Sequence, residues 1–185
     1  KVLALVERQL GAWKGKSVSV PVLGKMPAHA AHHIDFDSAQ LQIALAYPSA
    51  AFAQPHYYAS KVATSVLSGG MFGRLFIEVR EKRGLCYSVR ARHSANQYFG
   101  TMVAYAGTTA ERAHETFEVL VRELRNLRGT ITAEELDRSK VEIKSGRIIG
   151  EESTGARSAL NAGDWWLGKR VRPLEEVLEG ISSVS

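Results

Sequence analysis

Apolar positions in this chain follow two different periods, and the changes from one to the other mark out its elements. Val2, Leu3, Leu5, Val6 and Leu10 share one face of a short helix that ends near Gly11. Gly15, Pro21, Gly24 and Pro27 then break any period across residues 14–31. Polar and apolar residues alternate from His33 to Asp37, and more clearly through Leu41, Ile43, Leu45 and Tyr47. Both stretches predict strands, the second closed by Pro48. Helical spacing returns over Tyr57–Leu67 with Tyr58, Val62, Val66 and Leu67. A glycine-rich turn (Gly69, Gly70, Gly73) opens a short amphipathic helix with Leu75, Phe76 and Val79 on its apolar face. Gly84 stands where a C-cap glycine belongs. Strands follow at about 85–93 and 98–106, with Ala95-Asn96-Gln97 as the hairpin turn.

The rest of the pattern is helical. Thr108 and Glu111 have the spacing of a capping box for a helix to Arg128, whose expected core face is Ala113, Phe117, Leu120, Val121, Leu124 and Leu127. Thr132 and Glu135 form a second such pair, with Ile131 and Leu136 placed as its hydrophobic staple, opening a helix to about Gly150. A further helix covers about 155–168 with Trp165 and Trp166 near its end, and Pro173 suits the first position of another. Strands, two helices, a hairpin and then a run of helices predict an α+β fold: an antiparallel sheet covered on one face by helices.

Composition refines this outline. The 185 residues, 45% of them apolar, suit one substantial domain with a real core. A single cysteine, Cys86, excludes an internal disulfide and fits a reducing compartment. No apolar run reaches the length of a membrane span, and no signal segment opens the chain. The chain starts without Met, inside a helical pattern, and reads as a fragment. Its net charge of +5 is concentrated in residues 71–92. There Arg74, Arg80, Lys82, Arg83, Arg90 and Arg92 face only Glu78 and Glu81. The later helices alternate sign as solvated faces do and no nucleic-acid motif is present, so nucleic acid is not expected as a partner.

Few residues offer chemistry. Gly69–Gly70 would let the backbone approach another chain closely. Arg80 ends the short helix and Tyr87 opens the next strand, and both can donate to a peptide carbonyl or an oxyanion. Their plain alternative is an arginine complementing a helix dipole and a half-buried strand tyrosine. His114 and Glu118 stand one helical turn apart without a second histidine, which falls short of a metal site. His29, His32 and His33 read as linker residues, and His93 has no evident partner. No Gly-x-Ser-x-Gly and no Walker-type loop occurs, and Cys86 has no histidine near it in sequence.

The ordered combination Gly69-Gly70-Met71-Phe72-Gly73-Arg74-Leu75 and Arg80-Glu81-Lys82-Arg83-Gly84-Leu85-Cys86-Tyr87-Ser88-Val89 resembles a known family. It is similar to the non-zinc, C-terminal half of the pitrilysin/insulinase-type zinc metallopeptidases, which include the mitochondrial processing peptidases. The likeness is dense over about residues 35–110 and looser beyond. It implies residues 1–13 as the end of a preceding half-domain, 14–31 as linker and 32–185 as a peptidase-like half-domain that stops short of a final helix and strand. It also implies that Arg80 and Tyr87 bind a substrate carbonyl or oxyanion, with Gly69 and Gly70 beside the substrate. The family's His-x-x-Glu-His zinc motif is absent here. Zinc would therefore sit in another half or partner subunit, with no cofactor held by this chain. The implied partners are that zinc-bearing half and a peptide, in a protein that is a dimer when complete. The implied location is bacterial cytoplasm or mitochondrial matrix. The alternative is a structural member of the same family that has lost peptidase activity.

Overall fold

In a computed structural model, residues 1–16, 31–35 and 37–185 are described. They fall into two units, Lys1–His32 and His33–Ser185. The first holds helix α1 (Val2–Leu10), closed at Gly11 by a bond from its N–H to the Glu7 carbonyl. The remainder of the expected linker, residues 17–30, lies outside the described residues, as does His29.

The second unit is built on strands β1 (Leu41–Ser49), β2 (Ser88–Ala95) and β3 (Gly100–Thr108), antiparallel in the order β1-β3-β2. Around them lie helices α2 (Tyr57–Ser68), α3 (Ala113–Thr130), α4 (Ala133–Glu152), α5 (Thr154–Gly168) and α6 (Leu174–Ser182). One face of the sheet is apolar: Ile43 and Leu45 of β1, Ala104 and Ala106 of β3, Val89 and Ala91 of β2. It packs against Leu67, Leu75, Val79, Leu85, Val119 and Leu120. A second cluster (Val62, Val177, Ile181, with Tyr58, Leu136 and Ile143) joins α2, α4 and α6. The α+β class with helices on one face is the architecture found.

Several expectations need correction. His33–Asp37 forms no strand among its described residues: Ile34 is 86% exposed, so its alternation has no core to face. Pro48 lies within β1, opposite Thr101; among the described residues β1 pairs only with β3, so proline's missing N–H can face the other edge. β2 starts at Ser88. Leu85 and Cys86 are both buried, which breaks alternation, and the Leu85 carbonyl accepts from the Thr108 hydroxyl. That bond removes Thr108 from the expected capping box, so α3 starts later, with Arg112 at its cap and no side-chain cap. The buried face of α3 is Thr116, Val119, Leu120 and Glu123. Leu124 and Leu127 pack at its side, while Phe117 is 44% exposed.

The second capping box is present as expected, reciprocal between Thr132 and Glu135. Pro173 takes the cap of α6 rather than its first turn.

Candidate substrate-binding site

The segment from the glycine turn to Tyr87 is more compact than its spacing suggests. Gly70–Phe72 form a 3-10 turn, and after Arg74 and Leu75 the chain widens into a π-helical turn, Phe76–Glu81. Lys82 N–H bonds back to the Ile77 carbonyl, five residues earlier. The close is widened too: Gly84 N–H reaches the Arg80 carbonyl and Leu85 N–H that of Val79. Gly84 takes φ 60°, which a glycine C-cap supplies without strain. Such wide turns inside helices are frequent at functional sites.

The expected basic patch is divided among separate partners. Arg74 donates to both carboxylate oxygens of Glu135 at 2.6 and 2.7 Å and to the Thr130 carbonyl at 2.7 Å. The Arg74 bonds hold the Glu135 carboxyl down to about 2 against its burial. Lys82 and Arg83 both pair with Glu78. Arg90 stacks over the Tyr105 ring at 5.0 Å. Arg80 is exposed, lies over the Phe76 ring at 5.3 Å and, like the exposed Arg90 and Arg92 on β2, has no hydrogen-bond or ion-pair partner among the described residues.

Tyr87 sits on the face of the sheet away from the helices. Register opposes both Gln42 and Ser88 to Gly107, and both Ala44 and Arg90 to Tyr105, so these residues share that face. Tyr87 N–H bonds to the Gly107 carbonyl, and its ring covers Gly107 while remaining 48% exposed. Its hydroxyl donates to Gln40 Oε1 at 3.0 Å and accepts from Gln42 Nε2 at 2.8 Å. Gln42 Oε1 in turn accepts from the Tyr105 hydroxyl. Sequence reasoning missed Gln40, Gln42 and Tyr105, and read Arg90 only as part of the basic patch. Their position could be read only from strand register.

The glycine turn lies elsewhere. Gly69 packs against α4, where a Cβ would stand 2.1 Å from Glu142 Oε2 and 2.6 Å from the Ser65 carbonyl. Gly70 has φ 57° and open space beside it. Together with Met71, Phe72, Arg138, Val141 and Glu142 they line a hollow against α4. The close approach at Gly69 is thus to this chain's own helix. The immediate neighbours of Tyr87 are Gln40, Gln42 and Gly107, and none of them lines this hollow.

Residues 1–142 match the family described as the peptidase M16 inactive domain. The chain belongs to this family. An uncharacterized zinc protease of Bacillus subtilis, YmxG, is 30% identical over 150 residues, which are 80% of this chain and 37% of that protein. A crystal structure of a peptidase M16 inactive domain from Pseudomonas fluorescens superposes with TM-score 0.64 at 27% identity, over 80% of this chain and 34% of that one. A protease from Helicobacter pylori shares the fold with TM-score 0.77 at 21% identity, over all of this chain and 46% of its own. The chain spans 34% to 46% of the length of these proteins.

Zinc is implied by the relatives' names, and the described residues do not fit it. No three His, Cys, Asp or Glu side chains among them are grouped as ligands for one ion. His114 meets only Glu118, at 3.3 Å and in solvent. His33 bonds to Asp35, and His93 has a partner after all, donating from Nε2 to the Ala50 carbonyl. Cys86 is buried; burial pushes its thiol up, and Arg80 nearby opposes this only in part. No helix among the described residues is long and apolar enough to cross a membrane.

Proposed function

We propose that this chain is the substrate-binding, non-zinc half of a zinc-dependent peptidase, and that Arg80 and Tyr87 bind a peptide carbonyl near a metal held by another half or subunit. The observation that carries the reading is Arg80. Of the four basic residues between Arg74 and Arg83, three are neutralised by Glu135 or Glu78, and Arg80 alone keeps an unpartnered, exposed guanidinium. A charge left open costs nothing in water and stays available to an incoming oxygen. Tyr87 adds an exposed phenol on the open sheet face. Residues 1–13 would close a preceding half-domain. The exposed apolar face of α1 (Val2, Leu3, Leu5, Val6, Leu10) supports that, since such a face needs a partner. Gly69 and Gly70 would flank the substrate through the hollow against α4.

A second reading makes the chain a structural member that has lost peptidase activity. It is favoured by the hydroxyl of Tyr87, which already both donates and accepts within the chain. The two separate in the complete protein. Peptide turnover with Arg80→Ala or Tyr87→Phe, at equal zinc content, should fall about tenfold to a thousandfold if these groups stabilise a developing oxyanion. Absence of turnover in the complete wild-type protein would favour the structural reading, and turnover unchanged by both variants would leave Arg80 and Tyr87 as structural residues of an active peptidase.

A further inference from the structure

The open sheet face holds two hydrogen-bond donors aimed at one oxygen atom. Tyr87 donates its hydroxyl proton to Gln40 Oε1 at 3.0 Å, and Gln42 Nε2 approaches the same oxygen at 3.4 Å while donating to the Tyr87 oxygen at 2.8 Å. We infer that the Tyr87 hydroxyl and the Gln42 amide form a two-donor subsite for a backbone carbonyl oxygen of an extended peptide, and that Gln40 fills it when no peptide is bound. The inference rests on the reading of Tyr87 given above and adds a donor beside this phenol that comes from β1, 45 residues away in sequence.

Three features support it. The orientation of Gln42 is set from behind: its Oε1 accepts the Tyr105 proton, so its N–H groups must point toward Tyr87 and Gln40. Tyr105 is itself covered by the Arg90 guanidinium at 5.0 Å. The occupant is also chemically apt. A glutamine side chain ends in a neutral primary amide, whose carbonyl oxygen offers the same acceptor as a peptide bond. Finally, the occupant can leave. Gln40 is exposed in the bend before β1, and its backbone is held independently, with Ser38 Oγ donating to its carbonyl and accepting from its N–H. Its side chain can swing out while the main chain stays. One amide carbonyl would then exchange for another on the same two donors.

Two variants of the complete protein test this, each read by steady-state kinetics on a neutral peptide and by fluorescence anisotropy of that peptide on zinc-stripped protein. Gln40→Ala removes the internal competitor and should lower both KM and the dissociation constant about two- to fivefold with kcat unchanged. Gln42→Glu keeps the acceptor for Tyr105 but has no N–H, and should lower kcat about tenfold or more. Combined with Tyr87→Phe, its loss should be less than additive, because both donors serve one oxygen. If Tyr87→Phe lowers turnover while Gln40→Ala and Gln42→Glu leave every constant unchanged, this inference fails and the reading of Tyr87 stands. If Tyr87→Phe has no effect, both fall.

Discussion

Gly107 leaves room that the ring of Tyr87 occupies: a Cβ at Gly107 would stand 2.4 Å from both Cζ and the hydroxyl oxygen. The phenol therefore lies flat on β3 between Gln40, Gln42 and solvent, in a position only glycine permits. Gly107→Ala should push the ring off the sheet and separate its hydroxyl from Gln42. Because the ring is half-exposed and free to move, the stability change should stay within about 1 kcal/mol. Peptide turnover of the complete protein should nevertheless fall nearly as far as with Tyr87→Phe. Denaturant titration beside a kinetic assay checks both halves.

The turn between α5 and α6 is held to α2 by Arg172. Its guanidinium donates twice to Asp164 and once to the Tyr58 hydroxyl, and lies over the Phe52 ring at 4.3 Å. Burial alone would raise the Asp164 carboxyl, but the bonds from Arg172 bring it below its ordinary value. Both side chains are nearly covered, at 8% and 13% exposure. Asp164→Ala should cost about 3–5 kcal/mol, because it leaves a buried guanidinium without its counter-charge. Equilibrium urea unfolding measures this directly.

Acid should loosen the junction between the glycine turn and α4. The Glu135 carboxyl is lowered from 4.5 to about 2, chiefly by the bonds from Arg74. A carboxyl depressed on folding stabilises the fold above its unfolded value and loses that contribution as it is protonated. Stability from this pair should be complete above about pH 4.5 and decline toward pH 2. Glu135→Gln should flatten that limb of the stability–pH curve. A curve of unchanged slope would show the pair to be inert.

The three strands of the sheet, the α2 helix, the second capping box and the helical layer were legible because each depends on local periodicity or on one short motif, whereas the alternation at His33–Asp37 forms no strand among its described residues. Leu41, Ile43 and Leu45 alternate, and Thr132 with Glu135 caps its own helix. The errors arose where tertiary partners overrode local signals. Thr108 has the right spacing for a cap, yet its hydroxyl serves Leu85 across the core. Pro48 signals a strand end, yet β1 is an edge strand among the described residues and tolerates it. The rotation of α3 that exposes Phe117 and buries Thr116 likewise depends on what faces the helix. Arg80 and Tyr87 were singled out by the family resemblance, because type and spacing alone also fit an arginine at a helix end and a half-buried strand tyrosine. Gln42 and Tyr105 were not, since they come together only through the pairing of β1 with β3.

Cys86 should be slow to react. Burial holds its thiol above the ordinary range, so little thiolate forms near neutral pH. Labelling by a disulfide reagent should be much slower in the folded protein than in urea. Equal rates would mean that the segment from Leu85 to Tyr87 opens readily.

The central claim is that the Tyr87 hydroxyl and the open Arg80 charge act on a peptide carbonyl. Its most direct test is the turnover of the complete protein carrying Tyr87→Phe, which removes one oxygen and keeps the ring over Gly107. With folding and zinc content matched to wild type, the account predicts a fall of about tenfold or more in kcat. A kcat equal to wild type would contradict it and leave this face of the sheet a scaffold.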